Sequence, residues 1–298
     1  MEYLITVDSG CDLSLDICNK YDIIPLFMSY EIEGESFTDT LREEDILQFY
    51  KKIRGGIIPK TSQIAPLTYV DFWRDLLKDS ECKTIVHISM SSGISGTYKN
   101  ALTAVSMIKE IDPKAQIYVV DALMTSTGQG AFAIDASRLR KIGKTANECV
   151  AWLEKHKLEM NTFFTTNNLN YLHKGGRVSK TGAIFGTALK INPVLRLDTM
   201  GCLKVYDKVR GEQKTIEKIA IDTANTAINP EKQTLYVSHA DNIEKAKIIA
   251  NAITERVQFK NVVFNYIGTT IGTHTGADLV AVFFYGKTRT DVKKEVEK

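Results

Sequence analysis

No two cysteines of this chain stand in C-x-x-C spacing, no block of Lys and Arg stands out, and no apolar run approaches membrane-spanning length. Each absence removes a class of function. Cys11, Cys18, Cys82, Cys149 and Cys202 are scattered and odd in number, which argues against a disulfide framework and against a zinc site. Reduced thiols in a cytoplasmic protein are the expectation. Lys and Arg number 38 against 36 Asp and Glu, a net charge of +2, so nothing marks a nucleic-acid binder. Without an apolar stretch of about 20 residues no transmembrane segment is expected. Residues 1–8 open directly into a strand pattern, with no basic and then apolar leader. Neither G-x-x-x-x-G-K-[ST] nor G-x-G-x-x-G after a strand occurs, so any phosphoryl donor is expected on a partner.

What is present is an ordinary globular composition, 298 residues with 44% hydrophobic and 25% charged, enough for two domains. The first half alternates strand and helix patterns. Strands are predicted over 3–7, 24–30, 84–88 and 116–120, and helices after Thr40, from Pro66, over 98–108, from about Gly130 and from Thr145. Thr40 and Thr145 each open a capping-box spacing, with Glu43 and Glu148 three residues on. Strands alternating with helices imply a parallel sheet in an α/β layered domain. Beyond about residue 158 the rhythm changes. Strands are predicted over 160–165, 194–198, 203–206, 235–238, 262–267 and 279–284, with helices over 212–227 and 242–257. Thr199-Met200-Gly201-Cys202 has the form of a hairpin turn, and residues 271–276 form a Gly/Thr-rich turn. The expectation is an N-terminal α/β domain over 1–157 and a mixed-sheet α/β domain over 158–298. Small-molecule sites favour such an interface.

One loop is chemically distinctive. Ser91-Ser92-Gly93-Ile94-Ser95-Gly96-Thr97 joins the 84–88 strand to a helix N-terminus, a setting in which free N–H groups and the helix dipole favour a carboxylate or phosphate. Four more segments could meet it: Thr61-Ser62-Gln63, Lys174-Gly175-Gly176-Arg177, Lys208-Val209-Arg210-Gly211 and Ile271-Gly272-Thr273-His274-Thr275-Gly276. Singly, each reads as capping or turn chemistry.

Together with Asp8-Ser9-Gly10-Cys11-Asp12, Pro25-Leu26, Leu172-His173 and Pro193-Val194-Leu195, these segments form an ordered set that resembles the DegV family of bacterial fatty-acid-binding proteins over nearly the whole chain. The resemblance implies a two-domain fold with one long-chain fatty acid between the domains. It also implies delivery of that fatty acid to a separate ATP-dependent fatty acid kinase, which forms an acyl phosphate for phospholipid synthesis. It implies a cytoplasmic lipid carrier, not an enzyme, with no cofactor or metal. The carboxylate is then held by Thr61, Ser92 and His274, with Ser62, Ser95, Gly96 and Thr275 as second contacts, and Arg177 faces the kinase or the nascent phosphate. A roughly 16-carbon chain at ~0.8 kcal/mol per buried CH₂ supplies on the order of 10 kcal/mol of hydrophobic drive.

The chain departs from the family pattern at Ile64-Ala65, where Pro-Ser is usual, at Asp121-Ala122 with Ser126-Thr127-Gly128, and at Ala277-Asp278, where Pro-Gly is common. Asp278 is expected to face solvent or cap a backbone N–H, since a second carboxylate at the site would repel the ligand. Two other functions compete. One is a hydrolase or acyltransferase using Ser92 or Ser95 with His274, although no G-x-S-x-G elbow is present. The other is a dihydroxyacetone-kinase-like phosphotransfer subunit in which His274 binds a small carbonyl compound.

Overall fold

The computed structural model describes residues 3–78, 80–167, 169–178 and 191–291. The elements in chain order begin with β1 (Leu4–Asp8), α1 (Leu15–Tyr21), β2 (Ile24–Leu26), β3 (Ser29–Ile32), β4 (Glu35–Thr38), α2 (Glu43–Arg54), β5 (Lys60–Thr61) and α3 (Pro66–Lys78). Next are β6 (Thr84–Ser89), α4 (Thr97–Ile111), β7 (Gln116–Asp121), α5 (Ser126–Lys141), α6 (Ala146–His156), β8 (Met160–Thr165), α7 (Asn170–Lys174), β9 (Ile191–Leu197) and β10 (Leu203–Arg210). The described chain closes with α8 (Glu212–Thr226), β11 (Thr234–His239), α9 (Ile243–Thr254), β12 (Asn261–Tyr266), α10 (Thr269–Thr275) and β13 (Val280–Tyr285).

The first sheet is four-stranded and parallel, in the order β2-β1-β6-β7. Its central strands are covered on both faces, so β1 and β6 read as continuous buried runs instead of alternating. The second sheet is six-stranded and mixed, in the order β10-β9-β8-β13-β11-β12, with only β11 and β12 parallel. Here alternation sorts the two faces. Phe163, Val194, Val280, Val282 and Phe284 turn toward Ile216 and Ile219 of α8 and Ile249 and Ile253 of α9. Phe164, Leu195, Leu197, Ala281 and Phe283 turn the other way, into the core shared with β1 and α5. A small third sheet, β4-β3-β5, carries Thr61 on its last strand. Its β3–β4 hairpin turns through Glu33 and Gly34, both at positive φ, as a two-residue loop requires.

The structure is thus an α/β fold with one parallel and one mixed sheet, as the sequence predicts. Several local expectations change. Residues 24–30 are not one strand: β2 and β3 belong to different sheets, separated at Phe27-Met28. Thr40 does not cap α2. The helix starts at Glu43, and the Thr40 hydroxyl donates to Asp45 Oδ2 at 2.6 Å, while Thr40 Oγ1 accepts the Arg42 N–H at 3.3 Å. A threonine two residues ahead of the N-cap closes a local turn instead. Thr145 does form its capping box with Glu148. Helix α5 begins four residues before Gly130, and residues 269–275 form helix α10, not a turn. Helix α1 escaped the sequence reading, being only seven residues long. The turn over residues 199–202 does join the antiparallel strands β9 and β10, with Gly201 at φ +69°. All five cysteines are free.

Candidate functional site

The carboxyl ends of parallel strands are where open α/β sheets place their ligands. Here β1 ends at Asp8, β6 runs into the serine loop and β7 ends at Asp121. Several donors of the serine loop are used inside the protein: Ser91 N–H donates to Met124 O at 2.9 Å, Ser92 N–H to Asp121 Oδ1 at 3.1 Å, Gly93 N–H to Ser91 Oγ at 3.1 Å and Thr97 N–H to Ser95 Oγ at 3.2 Å. The loop is also pressed against the β9–β10 turn, where Ser91 Oγ donates to Gly201 O at 2.8 Å. What the loop offers is side chains on a fixed backbone.

Of these, Ile94 and Ser95 line a cavity of about 320 Å³ walled by both halves of the chain. Met28, Met90, Ile94 and Ile271 meet Phe164, Leu172, Leu197, Leu203, Leu279 and Phe283 around it. Thr61, Ser62, Gln63, Ser95, Arg177, His274 and Thr275 add polar groups to the lining. Thr61 Oγ1 lies 2.7 Å from His274 Nε2. Arg177 Nε donates to Ile94 O at 3.1 Å and Nη1 donates to Gly175 O. The imidazole rests against Gly175, where any side chain would strike Nδ1, and Nδ1 has no partner among the described residues.

Electrostatics sets the protonation of this group. Burial, reinforced by the charge of Arg177, pushes His274 down to about 4, so the imidazole is neutral near pH 7. Arg177 is half-buried and its pKa is lowered by desolvation. Among the described residues no carboxylate pairs with it. A buried cation without a counter-charge favours an anion arriving from outside.

Helix α10 carries His274 and Thr275, and its first turn is tied down by two buried carboxyls. Gly268 N–H donates to Asp12 Oδ1 at 2.9 Å and Thr270 N–H to Asp39 Oδ2 at 3.2 Å. Ser9 Oγ reaches the same Asp39 Oδ2 at 3.2 Å, and Ser126 Oγ donates to Asp12. Burial raises Asp8 to about 6 and raises both Asp12 and Asp39. The Asp8-Ser9-Gly10-Cys11-Asp12 segment therefore positions the His274 helix and does not contact the cavity itself.

Of the residues expected from sequence, Thr61, Ser62, Ser95, Arg177, His274 and Thr275 all line the cavity. Ser92 and Gly96 do not. Ser92 is exposed, and Gly96 packs against the Gln63 side chain. Ser95 is the loop serine on the cavity wall, its hydroxyl 2.7 Å from Thr97 Oγ1. Neither Ser92 nor Ser95 hydrogen-bonds to His274, so the nucleophile–base contact of a serine hydrolase is not made. Asp278 turns away: it pairs with Arg54 at 2.9 Å and accepts from Asn242 at 3.2 Å. Its side chain is one-third exposed, as an outward orientation implies, and its partner there is a cation. Gln63, Thr125, Ser126, Thr162 and Thr270 also line the cavity without having been singled out as contacts. For Thr162 the period-two pattern of β8, with Thr162 and Phe164 on one face, was the available signal.

The model of the DegV family, described as a family of uncharacterised proteins, matches residues 2–287. A DegV domain-containing protein of Clostridium perfringens is 33% identical over 289 residues, covering 97% of this chain and 99% of that one. A protein of Thermotoga maritima named a fatty acid-binding protein is 33% identical over 290 residues, covering 94% and 96%. Among solved structures, a DegV lipid-binding protein from Thermotoga maritima superposes with a TM-score of 0.84 at 31% identity, covering 97% of this chain and all of that one. A second Thermotoga maritima structure, described as revealing fatty acid binding function, gives 0.82 at 31% identity, covering 96% and 99%.

Proposed function

The chain belongs to the DegV family, and on that premise we propose that it carries one long-chain fatty acid of the palmitate, stearate or oleate kind. The carboxylate lies among Thr61, Ser95, Arg177 and His274, and the acyl chain runs along the apolar wall between the domains 1–157 and 158–298. The loaded protein presents the carboxylate to a separate ATP-dependent fatty acid kinase in the cytoplasm, where the acyl phosphate forms on the partner. The carrier performs no chemistry of its own.

The observation that carries this reading is the meeting, in one cavity, of a long apolar wall with a neutral Thr61–His274 pair and an Arg177 that has no carboxylate partner among the described residues. A carboxylate taken from water needs several donors and a compensating charge. Two of the Arg177 donors are already bonded to the backbone of Ile94 and Gly175. It therefore supplies positive potential more than a two-pronged clamp that would mask both carboxylate oxygens.

The test is organic extraction of the purified protein followed by mass spectrometry. A bound fatty acid, or stoichiometric uptake of added palmitate or oleate, is expected. Protein from a lipid-containing host that carries none and takes up none overturns the reading. Delivery is tested with the kinase and ATP: Thr61→Ala and His274→Ala are expected to lower acyl-phosphate formation, and unchanged formation in both overturns the assigned headgroup site.

A further inference from the structure

A second opening lies between the two halves of the chain and shares no lining residue with the first. It is a groove of about 430 Å³, within the size range of small-molecule sites. Leu13, Ile17 of α1, Leu41, Ile46 of α2, Ile243 of α9 and Val263 of β12 give it apolar walls. Asp12 also lines it, but both of its oxygens are engaged. Oδ1 accepts from Gly268 N–H, and Oδ2 accepts from Ser126, which belongs to the wall of the first cavity.

One donor in the groove wall is left over. His239 closes β11, is 3% exposed, and has its ring centroid 4.5 Å from that of Tyr266, which lines the groove with it. The Asn242 backbone N–H donates to His239 Nδ1 at 3.3 Å. A backbone N–H can only donate, so Nδ1 is bare and the ring proton sits on Nε2. Burial lowers the pKa of this ring, against the charge of Asp241, and keeps it neutral near pH 7. Nε2–H has no hydrogen-bond partner among the described residues. Nor is it sealed inside the protein, as the unpartnered His87 Nε2 and His274 Nδ1 are. The open space beside this ring is the groove.

The charge of the groove has one sign. No Lys or Arg lines it among the described residues. Glu43 stands on its rim, exposed and paired with no cation among the described residues. Burial first, and the adjacent Glu43 carboxylate next, raise the Tyr266 hydroxyl. An acid entering here meets a like charge and finds no counter-ion.

We propose that the groove is a second ligand site, for an uncharged aromatic molecule that carries a carbonyl oxygen. The oxygen accepts from His239 Nε2–H, and the ring system covers the apolar walls and the Tyr266 ring. A ligand of the same shape without that oxygen displaces water and leaves Nε2–H unpaired. That asymmetry is what lets a buried polar group discriminate.

The experiment titrates the full-length protein, saturated with palmitate, with three naphthalenes of one shape: the methyl ketone, its isopropenyl analogue and the carboxylate. Backbone amide NMR shifts report the site, at Val263, Asn265 and Tyr266 for the groove and at Ile94, Ser95 and Thr275 for the first cavity. The ketone is expected to move the groove amides and to bind there about tenfold tighter than either analogue. His239→Phe keeps a ring against Tyr266 and is expected to abolish the advantage over the isopropenyl compound. Glu43→Gln, on the exposed rim, is expected to tighten the carboxylate severalfold and the ketone by less. A ketone that moves only the first-cavity amides overturns the inference, as does one that binds the groove no tighter than the isopropenyl analogue. So does an advantage that survives in His239→Phe. Where that variant fails to fold, the ligand comparison on the native chain decides alone. Failure of palmitate to bind bears on the first cavity only, because each site is read by its own amides.

Discussion

Thr61 Oγ1 and His274 Nε2 stand 2.7 Å apart across 213 residues of sequence. One side chain comes from a two-residue strand of the smallest sheet, the other from a helix between the last two strands. The bond joins the N-terminal part of the chain to the C-terminal part at the cavity, so the proposed headgroup site requires both to be folded against each other.

Thr61→Val and His274→Asn are each expected to weaken binding of a long-chain fatty acid by roughly ten- to a hundredfold, the range for a hydrogen bond to a charged group. The double variant loses less than the sum, because the two residues act as a pair. The methyl ester of the same acid, which carries no charge, is expected to be insensitive. Ser92→Ala leaves affinity unchanged and Ser95→Ala lowers it. Calorimetric or fluorescence competition checks all of these.

Affinity is also expected to depend on pH through His274. Burial and Arg177 hold the free imidazole down to about 4. A carboxylate seated beside it favours the protonated form and raises that value in the complex. Binding then takes up a fraction of a proton, so affinity rises as pH falls from neutral toward the free value. In His274→Gln this component disappears, which a pH series of dissociation constants on the two proteins detects.

Stability carries opposed pH dependences. Asp8 is raised from 3.8 to about 6, so between those values the folded state binds the extra proton and stability falls as pH rises. His274, held to about 4, and His87, held to about 3 by burial, are lowered from 6.5. There the unfolded state binds the extra proton and stability rises with pH. Asp8→Asn removes the first effect. It is expected to steepen the gain in stability from about pH 4 to 6 and to stabilise the protein near neutrality by a few kcal/mol. Denaturant melts of both proteins across that range check the sign.

Gly201→Ala is expected to destabilise by about 1–3 kcal/mol and to lower ligand affinity together. The residue sits at φ +69°, and a methyl group there strikes Ser91 Oγ. Relief moves the serine loop, and with it Ile94 and Ser95 on the cavity wall. Chemical denaturation and ligand titration of the same variant measure both effects.

The strand runs alternating with helical periods in the first half announced a parallel sheet in an α/β layer. These periods are local and survive in one dimension. The Thr145 capping box was legible for the same reason, since all its bonds lie within four residues. Thr40 shows the limit of such spacing. It carries the same pattern, but its hydroxyl is taken by Asp45 before the helix begins.

The serine loop is the sharper case. Its residues advertise donors, but whether a donor is free depends on what lies against it. Met124, Asp121 and Gly201, from three distant places, decide that. Likewise the sequence implied that Asp278 points away from His274, but not that Arg54 of helix α2 is what holds it there.

Short-range pattern and residue chemistry were enough to give most element types, the mixed architecture and the set of residues from which a carboxylate site could be made. That Ser95 and not Ser92 lines the cavity, and that Asp12 and Asp39 anchor the helix bearing His274, became visible only in three dimensions. Those outcomes depend on which groups meet across more than a hundred residues, and burial then fixes whether each polar atom is bonded, charged or left wanting a partner.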